Sequence, residues 1–447
     1  MFKIKNLKMT YTEIIVFGTL LIIIAGGIIL SLPVSSRNNM PTPYIDSLFT
    51  AASAFCVTGL VLYDTYTHWS LFGQIVILVL IQVGGLGFMT IITLFSMFLR
   101  RKIGLKERRL LMESANTLKI GGIVFLVKKI LIRTFIFEGI GTIFLSLRFC
   151  PKMGFYLGLY NGIFHSVSAF CNAGFDLMGR YGQFSSLTSY ANDVVVNIVV
   201  MGLIVIGGIG FVVWDDIAKN LFKFNKYSLH TKIVLTATIS LILGGAAIFL
   251  AMESKHSMIN MSLGEKILSA LFHSITPRTA GFNTINLNTM SEGGYLLTML
   301  LMVIGGSPGS TAGGIKTTTF VTLIITALSS AKQLSDITIF KRRLETDSLK
   351  KASSITVIYI STIFLAVMLI SATQNFSLEE TMFEVISAIG TVGLSLGITP
   401  LLSNFSKIII SFLMYGGKVG VLSMAAVLAE KKETSPLSRP YGKIIIG

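Results

Sequence analysis

A glycine closes a short string of small and half-polar residues at four places in this chain. These are Gly59 in "FTAASAFCVTGL", Gly174 in "FHSVSAFCNAGF", Gly281 in "LFHSITPRTAGF" and Gly393 in "FEVISAIGTVGL". No catalytic constellation competes in these strings. The five histidines show no close metal spacing, and Cys56, Cys150 and Cys171 form no C-x-x-C, so zinc and thiol redox chemistry find no support. What the strings can offer is backbone. Glycine permits angles that aim successive carbonyls one way, and small neighbours leave them room. A ring of such carbonyls can replace the hydration shell of a cation. The candidate ligands are the backbones of Cys56, Val57, Thr58 and Gly59; Cys171, Asn172, Ala173 and Gly174; Arg278, Thr279, Ala280 and Gly281; and Gly390, Thr391, Val392 and Gly393.

The four glycines are 115, 107 and 112 residues apart. A second motif repeats in step: "VGGLGF" from Val83, "IGGIGF" from Ile206, "IGGSPG" from Ile304 and "YGGKVG" from Tyr415, with Gly84, Gly207, Gly305 and Gly416 aligned. Matches at two motifs in one register mark internal repeats. Each quarter reads as an apolar span, a short helix, a glycine loop and a second span. The quarters are residues 1–109, 110–226, 227–347 and 348–447. This predicts an all-α membrane protein of eight transmembrane helices and four re-entrant pore helices. Two spans per unit put every repeat in the same orientation, so all four loops share one side and can surround one axis.

Composition requires the same setting. Of 447 residues 52% are hydrophobic and 13% charged, with a mean hydropathy of +0.76, where soluble domains carry about 25% charged residues. Uncharged runs at Ile14 to Ser36, Val194 to Trp214, Ile233 to Met252 and Ala352 to Leu378 each offer the roughly 20 residues a spanning helix needs. The first is too long for a signal-peptide core and no A-x-A-like site follows it, so it is read as a retained span. A net charge of +16 would suggest nucleic acid in a soluble protein. Here 27 of the 37 Lys and Arg fall before the first span, between repeats or after the last, and 8 fall in the opposite loops. That bias places both termini in the cytoplasm.

The short helices have start signals. Ser262-x-x-Glu265 and Ser377-x-x-Glu380 are capping boxes, and Pro43 suits a first turn with Asp46 just inside. Helices running inward bring their C-terminal dipole ends to the loops, where they favour a cation.

The fourfold pattern fails in repeats three and four. Gly305, Gly306, Ser307, Pro308, Gly309, Ser310, Thr311, Ala312, Gly313 and Gly314 form a run rich in helix breakers, so no intact helix is expected there. Irregular backbone at membrane depth must be buried in protein or line a cavity. The alignment puts this run beneath the third loop, where it reads as a flexible gate blocking the pore from inside; the alternative is a static kink. Lys316 follows it, as a pore residue or as the loop's cytoplasmic anchor. Lys418 is a charge inside a span, as is Glu138, and such charges mark function by default. Lys418 can pair with the carbonyls of the Gly305 to Thr319 run or with Glu138. The Arg278 side chain would block a cation on the axis, so it is expected to turn outward and brace its loop. "GSTAGGIKT" from Gly309 does not meet the phosphate-loop pattern, because its Lys does not directly follow the Gly and no strand precedes it.

These features together resemble the Trk/Ktr/HKT superfamily of potassium transporters, closest to the bacterial Ktr membrane subunit. The strings "TPRTAGFN", "GTVGLS", "GGSPGSTAGGIKTTT", "IQVGGLGFMT", "KIGLKER" and "SLHTK" carry the likeness, which covers essentially the whole chain. The resemblance implies potassium uptake across the plasma membrane, often sodium-dependent, with K+ at the filter carbonyls and Na+ as a second ion. It implies a homodimer with one pore per protomer, and control by a cytosolic ring of RCK-type nucleotide-binding subunits. The tail "PYGKIIIG" resembles the family's dimer contact, and "RRKIGLKERR" and "FKRRLE" are docking candidates. The family usually carries Arg at the Lys418 position; Lys keeps the charge and loses the planar fork. One glycine per loop, against two in "TVGYG", supplies fewer ordered carbonyl layers, so a weakly selective monovalent cation channel is the alternative.

Overall fold

The computed structural model describes residues 10–87, 90, 123–221, 223–334, 336–421 and 424. The tail and the "RRKIGLKERR" segment lie outside the described residues. Numbered along the described chain, the helices are α1 (Tyr11–Ser31), α2 (Tyr44–Phe55), α3 (Thr65–His68), α4 (Leu71–Leu86), α5 (Ile123–Met153), α6 (Phe155–Phe170), α7 (Val194–Gly208) and α8 (Phe211–Asn220). They continue as α9 (Leu229–Glu253), α10 (Leu263–Ile275), α11 (Glu292–Val303), α12 (Thr317–Ala331), α13 (Thr346–Ser371), α14 (Leu378–Gly390) and α15 (Asn404–Val419). One small departure from an all-α chain is a hairpin between α12 and α13. There Thr338–Ile339 pairs with Arg342–Arg343 around a turn at Phe340 and Lys341.

Helix ends follow local chemistry. Both capping boxes form, at Ser262 with Glu265 and at Ser377 with Glu380. Pro43 takes the cap of α2, one position before the first turn, and Asp46 lies in that turn. The expected run from Ile14 to Ser36 stops as helix at Ser31, because Leu32 is extended and Pro33 follows. The run from Ala352 to Leu378 begins earlier, at Thr346, and stops at Ser371; Ser377 then caps the next helix. The larger correction is Val194 to Trp214. It is no straight span but two helices, α7 and α8, bent by 98°. Gly210, at φ +97, makes that turn.

Among the described residues four helices, within α1, α5, α9 and α13, are long and apolar enough to cross a membrane, or five if the bent pair counts as one. They stand on the outside. Phe17, Leu21, Ile24 and Ile28 form an exposed row along α1, and Phe364, Leu365 and Met368 lie on α13. The short helices sit inside, and each packs against the helix after the previous glycine loop. α6 packs on α4, α10 on α7, α14 on α11, and α2 on α15. The last pair brings α15 against α2, so the short helices and the helices they pack on close into a ring.

Candidate functional site

The four glycine loops begin where α2, α6, α10 and α14 end. Two residues before each glycine, the backbone is left-handed: Val57 (φ +52), Asn172 (φ +59), Thr279 (φ +69) and Thr391 (φ +50). The glycines are left-handed as well, with φ from +69 at Gly174 to +93 at Gly393. Three of the four non-glycine positions are β-branched, for which this region is an outlier. Such strain costs about 1–3 kcal/mol per residue and collects at functional sites. The same unfavourable geometry four times over is a requirement of the site.

Hydrogen bonds show what the geometry achieves. The N–H groups of Thr58, Ala173 and Val392 donate to the carbonyls of Ser53, Ser168 and Ser387, each at 2.8 Å. In the third loop Ala280 donates to Thr276 at 2.9 Å. The next amides, of Gly59 and Gly393, donate to the hydroxyls of Ser53 and Ser387 at 3.1 and 3.0 Å. Ser168 and Thr276 instead donate to the carbonyls of Phe175 and Phe282. A trans peptide points its carbonyl opposite its N–H. With these amides spent on the scaffold behind each loop, their carbonyls turn to the other side.

That side is shared by all four loops. A side chain placed on Gly59 would lie 2.5 Å from the Ala173 carbonyl oxygen, one on Gly174 would lie 2.8 Å from that of Ala280, and one on Gly281 would lie 2.5 Å from that of Val392. One on Gly393 would run into the carbonyl of Thr58. Each loop therefore abuts the next and the fourth abuts the first. Above the glycines is a cavity of about 280 Å³ that touches Gly59, Gly174, Gly281 and Gly393 together. Its other lining includes Asp64, Asp176, Asn283, Asn288 and Ser395. It is a vestibule rich in oxygen donors, and the negative ends of α2, α6, α10 and α14 point to the loops beneath it. Buried in the loops, the hydroxyls of Thr58, Thr279 and Thr391 and the Asn172 amide nitrogen have no hydrogen-bond partner. Together with the inward carbonyls, these hydroxyl oxygens suit a desolvated monovalent cation.

Beneath the ring lies the broken segment. α11 stops at Val303 and α12 resumes at Thr317. Gly305 N–H donates to Ile315 at 2.9 Å, which pins the two ends of the loop together. Its middle presses on the inner side of the ring. Thr311 donates to Asn172 Oδ1 at 3.0 Å and to the Phe170 carbonyl at 3.3 Å. A side chain on Gly313 would run into Thr391. The tip sits in the bend between α7 and α8, where Phe211 N–H donates to Gly309 at 2.8 Å and Ser307 N–H donates to Gly208 at 2.9 Å. Pro308 lies there too, its carbonyl 2.8 Å from where a Gly210 side chain would be. The bend that the apolar run concealed is the seat of this loop.

Two lysines hold the segment. Lys418 donates to the Thr311 carbonyl at 2.7 Å, and Lys316 donates to Ala312 at 2.6 Å and to Gly313 at 3.4 Å. Of the two partners open to Lys418, the structure gives it the loop. Glu138 is buried elsewhere, between repeats one and two, and accepts from Gln82 at 3.2 Å. The Arg278 side chain is buried and reaches Thr238 on α9, behind its loop. Cys56 and Cys171 are buried free thiols.

The Gly-Gly motif has its role corrected. Gly84 and Gly207 lie directly under the carbonyls of Phe55 and Phe170, the last residues of α2 and α6, with no space for a Cβ. In repeat four Gly417, not Gly416, occupies that place, under Ile389. In repeat three Gly305 meets the Gly313 carbonyl of its own loop instead. The bracing serines were missed by sequence reasoning, although Ser53, Ser168 and Ser387 stand six residues before the glycine in three of four strings.

Residues 8–438 match the family model described as TrkH, cation transport protein. The chain is 39% identical to the Ktr system potassium uptake protein B of Bacillus subtilis (strain 168), over 99% of this chain and 98% of that one. It is 38% identical to the potassium/sodium uptake protein NtpJ of Enterococcus hirae, over 97% and 96%. In fold it is similar to the crystal structure of the potassium transporter TrkH from Vibrio parahaemolyticus, with a TM-score of 0.76, 16% identity and coverage of 95% of this chain and 86% of that one.

Proposed function

This chain belongs to the TrkH family of cation transport proteins, and from that premise we propose that it takes up potassium through the ring of four glycine loops. The observation that carries this reading is the closure of that ring, with its amides tied to the scaffold and its carbonyls left to the axis. An ion reaching the vestibule loses water as the carbonyls of Val57, Thr58 and their counterparts replace it. The serines and helix ends behind the loops keep those oxygens in place, so little reorganisation is needed. The names of relatives supply potassium as the ion, and that of the Enterococcus protein adds sodium. A weakly selective K+/Na+ channel is the alternative, since each loop has one glycine.

The surroundings follow from the same reading. Four parallel units, each an outer span, a re-entrant pore helix and a second span, divide the chain at residues 109, 226 and 347. Both termini are cytoplasmic, in keeping with the placement of Lys and Arg. Two protomers make the dimer in the plasma membrane, each with its own pore, and an RCK-type ring binds from the cytosol. Residues Gly305 to Gly314 are the gate: seated against Asn172 and Thr391, they close the inner mouth, and Lys418 and Lys316 hold them there. Glu138 serves packing between repeats one and two.

Expression in a bacterium lacking its potassium transporters, with and without the cytosolic ring subunit, tests this. Growth at low external potassium that depends on this chain is expected. No rescue with the ring supplied would overturn the reading, and rescue with equal sodium and potassium permeation would favour the alternative.

A further inference from the structure

Arg278 is the only lysine or arginine in the four glycine strings. It is 8% exposed and takes part in none of the ion pairs among the described residues. A guanidinium has five N–H donors and keeps its charge in proteins. Here one donor reaches Thr238 Oγ1 at a long 3.5 Å, and Nε has no partner. A buried charge so sparsely partnered is costly, so what surrounds this one matters.

The guanidinium lines a small space walled by Ile204 and Gly208 of α7, Thr238 of α9 and Gly306 of the inner loop. Its volume is about 10 Å³, on the order of the 10–15 Å³ that one water occupies and too small for a larger anion. The Gly208 carbonyl already accepts from Ser307, and a carbonyl has two lone pairs. One water can therefore accept from Arg278 Nε and donate to Gly208. Ile204, Val205, Ile209 and Ile275 make the apolar walls, and Gly306 belongs to the element that would move.

We propose that Arg278 is a spring for the inner loop: its charge is held by a single water while the loop is seated, and is opened to the aqueous inner cavity when Gly306 and Ser307 withdraw. This rests on reading Gly305 to Gly314 as the gate. The seated state leaves the guanidinium poorly solvated and the withdrawn state hydrates it, so Arg278 opposes closure. Lys418, bonded to Thr311, favours closure. The two buried cations act on one segment with opposite sign, which keeps the gate near balance and open to outside control. Arg278 is a positioning residue, since its side chain stays away from the ion.

Flux assays in vesicles, using the full chain with the ring subunit, test this in two backgrounds: intact, and with residues 308–312 deleted. Arg278→Met keeps the stem and removes the charge. Activated flux is expected to fall about tenfold in the intact background, a gating change of about 1.4 kcal/mol, and to stay unchanged in the deletion. Arg278→Lys should stay near the parent. Thr238→Val removes the one acceptor and should raise basal flux, a change of opposite sign that a folding defect would not produce. An equal fall in both backgrounds would make Arg278 a brace of the filter and overturn the proposal. So would unchanged or increased flux for Arg278→Met in the intact protein. If the deletion alone does not raise flux, the gate reading itself fails, an outcome separate from these.

Discussion

On the outer face of the ring, the residue before each glycine donates its amide back into its own short helix, two residues before each glycine the backbone is left-handed, and each glycine abuts the carbonyl of the next loop. Directly beneath, three units share a glycine under the short helix and a positive-φ glycine that ends or turns their own helix, and repeat three departs from both. α4 ends at Leu86, α7 turns through 98°, the helix of repeat three is open from Val303 to Thr317, and α15 carries Lys418. The difference follows from what each face has to do. A cation on the axis needs equivalent oxygens from every side, so departures are costly in all four loops. On the proposed reading, an obstruction below the ring enters from one side, that of repeat three. The loop tip is seated at the Gly210 turn, and Lys418 reaches across to Thr311.

The comparison can be broken at the outer face first. Gly281→Ser should cost the most, because the new Cβ meets the Val392 carbonyl at 2.5 Å and the backbone stays at φ +76. A loss of about 100-fold in the K+ over Na+ uptake affinity ratio is expected, the scale of about 3 kcal/mol; an unchanged ratio contradicts the filter role. At the inner face, deleting residues 308–312 should raise flux without the ring subunit by about tenfold while leaving the ratio intact, as expected of a gating change of about 1.4 kcal/mol. A deletion that alters selectivity and not flux would reverse the assignment of the two faces. Lys418→Met should raise basal flux several-fold, since a hydrogen bond to a charged group contributes about 1.5–3 kcal/mol, part of which water regains. Lys418→Arg, which can still reach the Thr311 carbonyl, should not.

Smaller effects sharpen the picture. Ser387→Ala removes the hydroxyl that accepts from Gly393 N–H and should lower the K+ over Na+ ratio about threefold, within the about 0.5–1.5 kcal/mol of a neutral hydrogen bond. Outside the pore, Asp193 caps α7 and pairs with Arg148 at 2.8 Å. Burial would raise its carboxyl, but the Arg148 guanidinium and the Val196 amide outweigh this and hold it below the usual carboxylate range. A depressed carboxylate stabilises the fold above the ordinary Asp value and loses that contribution as pH falls through the depressed one. Asp193→Asn should thus lower the melting temperature by a degree or so at pH 7, with the difference shrinking as pH falls below the ordinary Asp value, read by thermal unfolding in detergent.

The four glycine loops and the short helices before them were legible because the chain states them repeatedly, with Gly59, Gly174, Gly281 and Gly393 in one register. The break in repeat three was legible from composition, since so many helix breakers leave no alternative. The bend at Gly210 was not, because an apolar run hides a single turn-making glycine; Gly87 and Gly420, at the matching places, also take positive φ and end α4 and α15. Gly417 was assigned one position off, since a Gly-Gly pair does not say which member lies under Ile389. The partners of Lys418 and Glu138 were undetermined, because contacts between residues 107 positions apart in sequence leave no local trace.

The central claim is that four loops act as one ion site. A structure of the protein with thallium in place of potassium tests it most directly, through the ion's anomalous scattering. The account predicts a peak on the axis, framed by the carbonyls of Thr58, Ala173, Ala280 and Val392 and competed away by potassium. A peak held by one or two loops off the axis, or none between the four glycines, would contradict it.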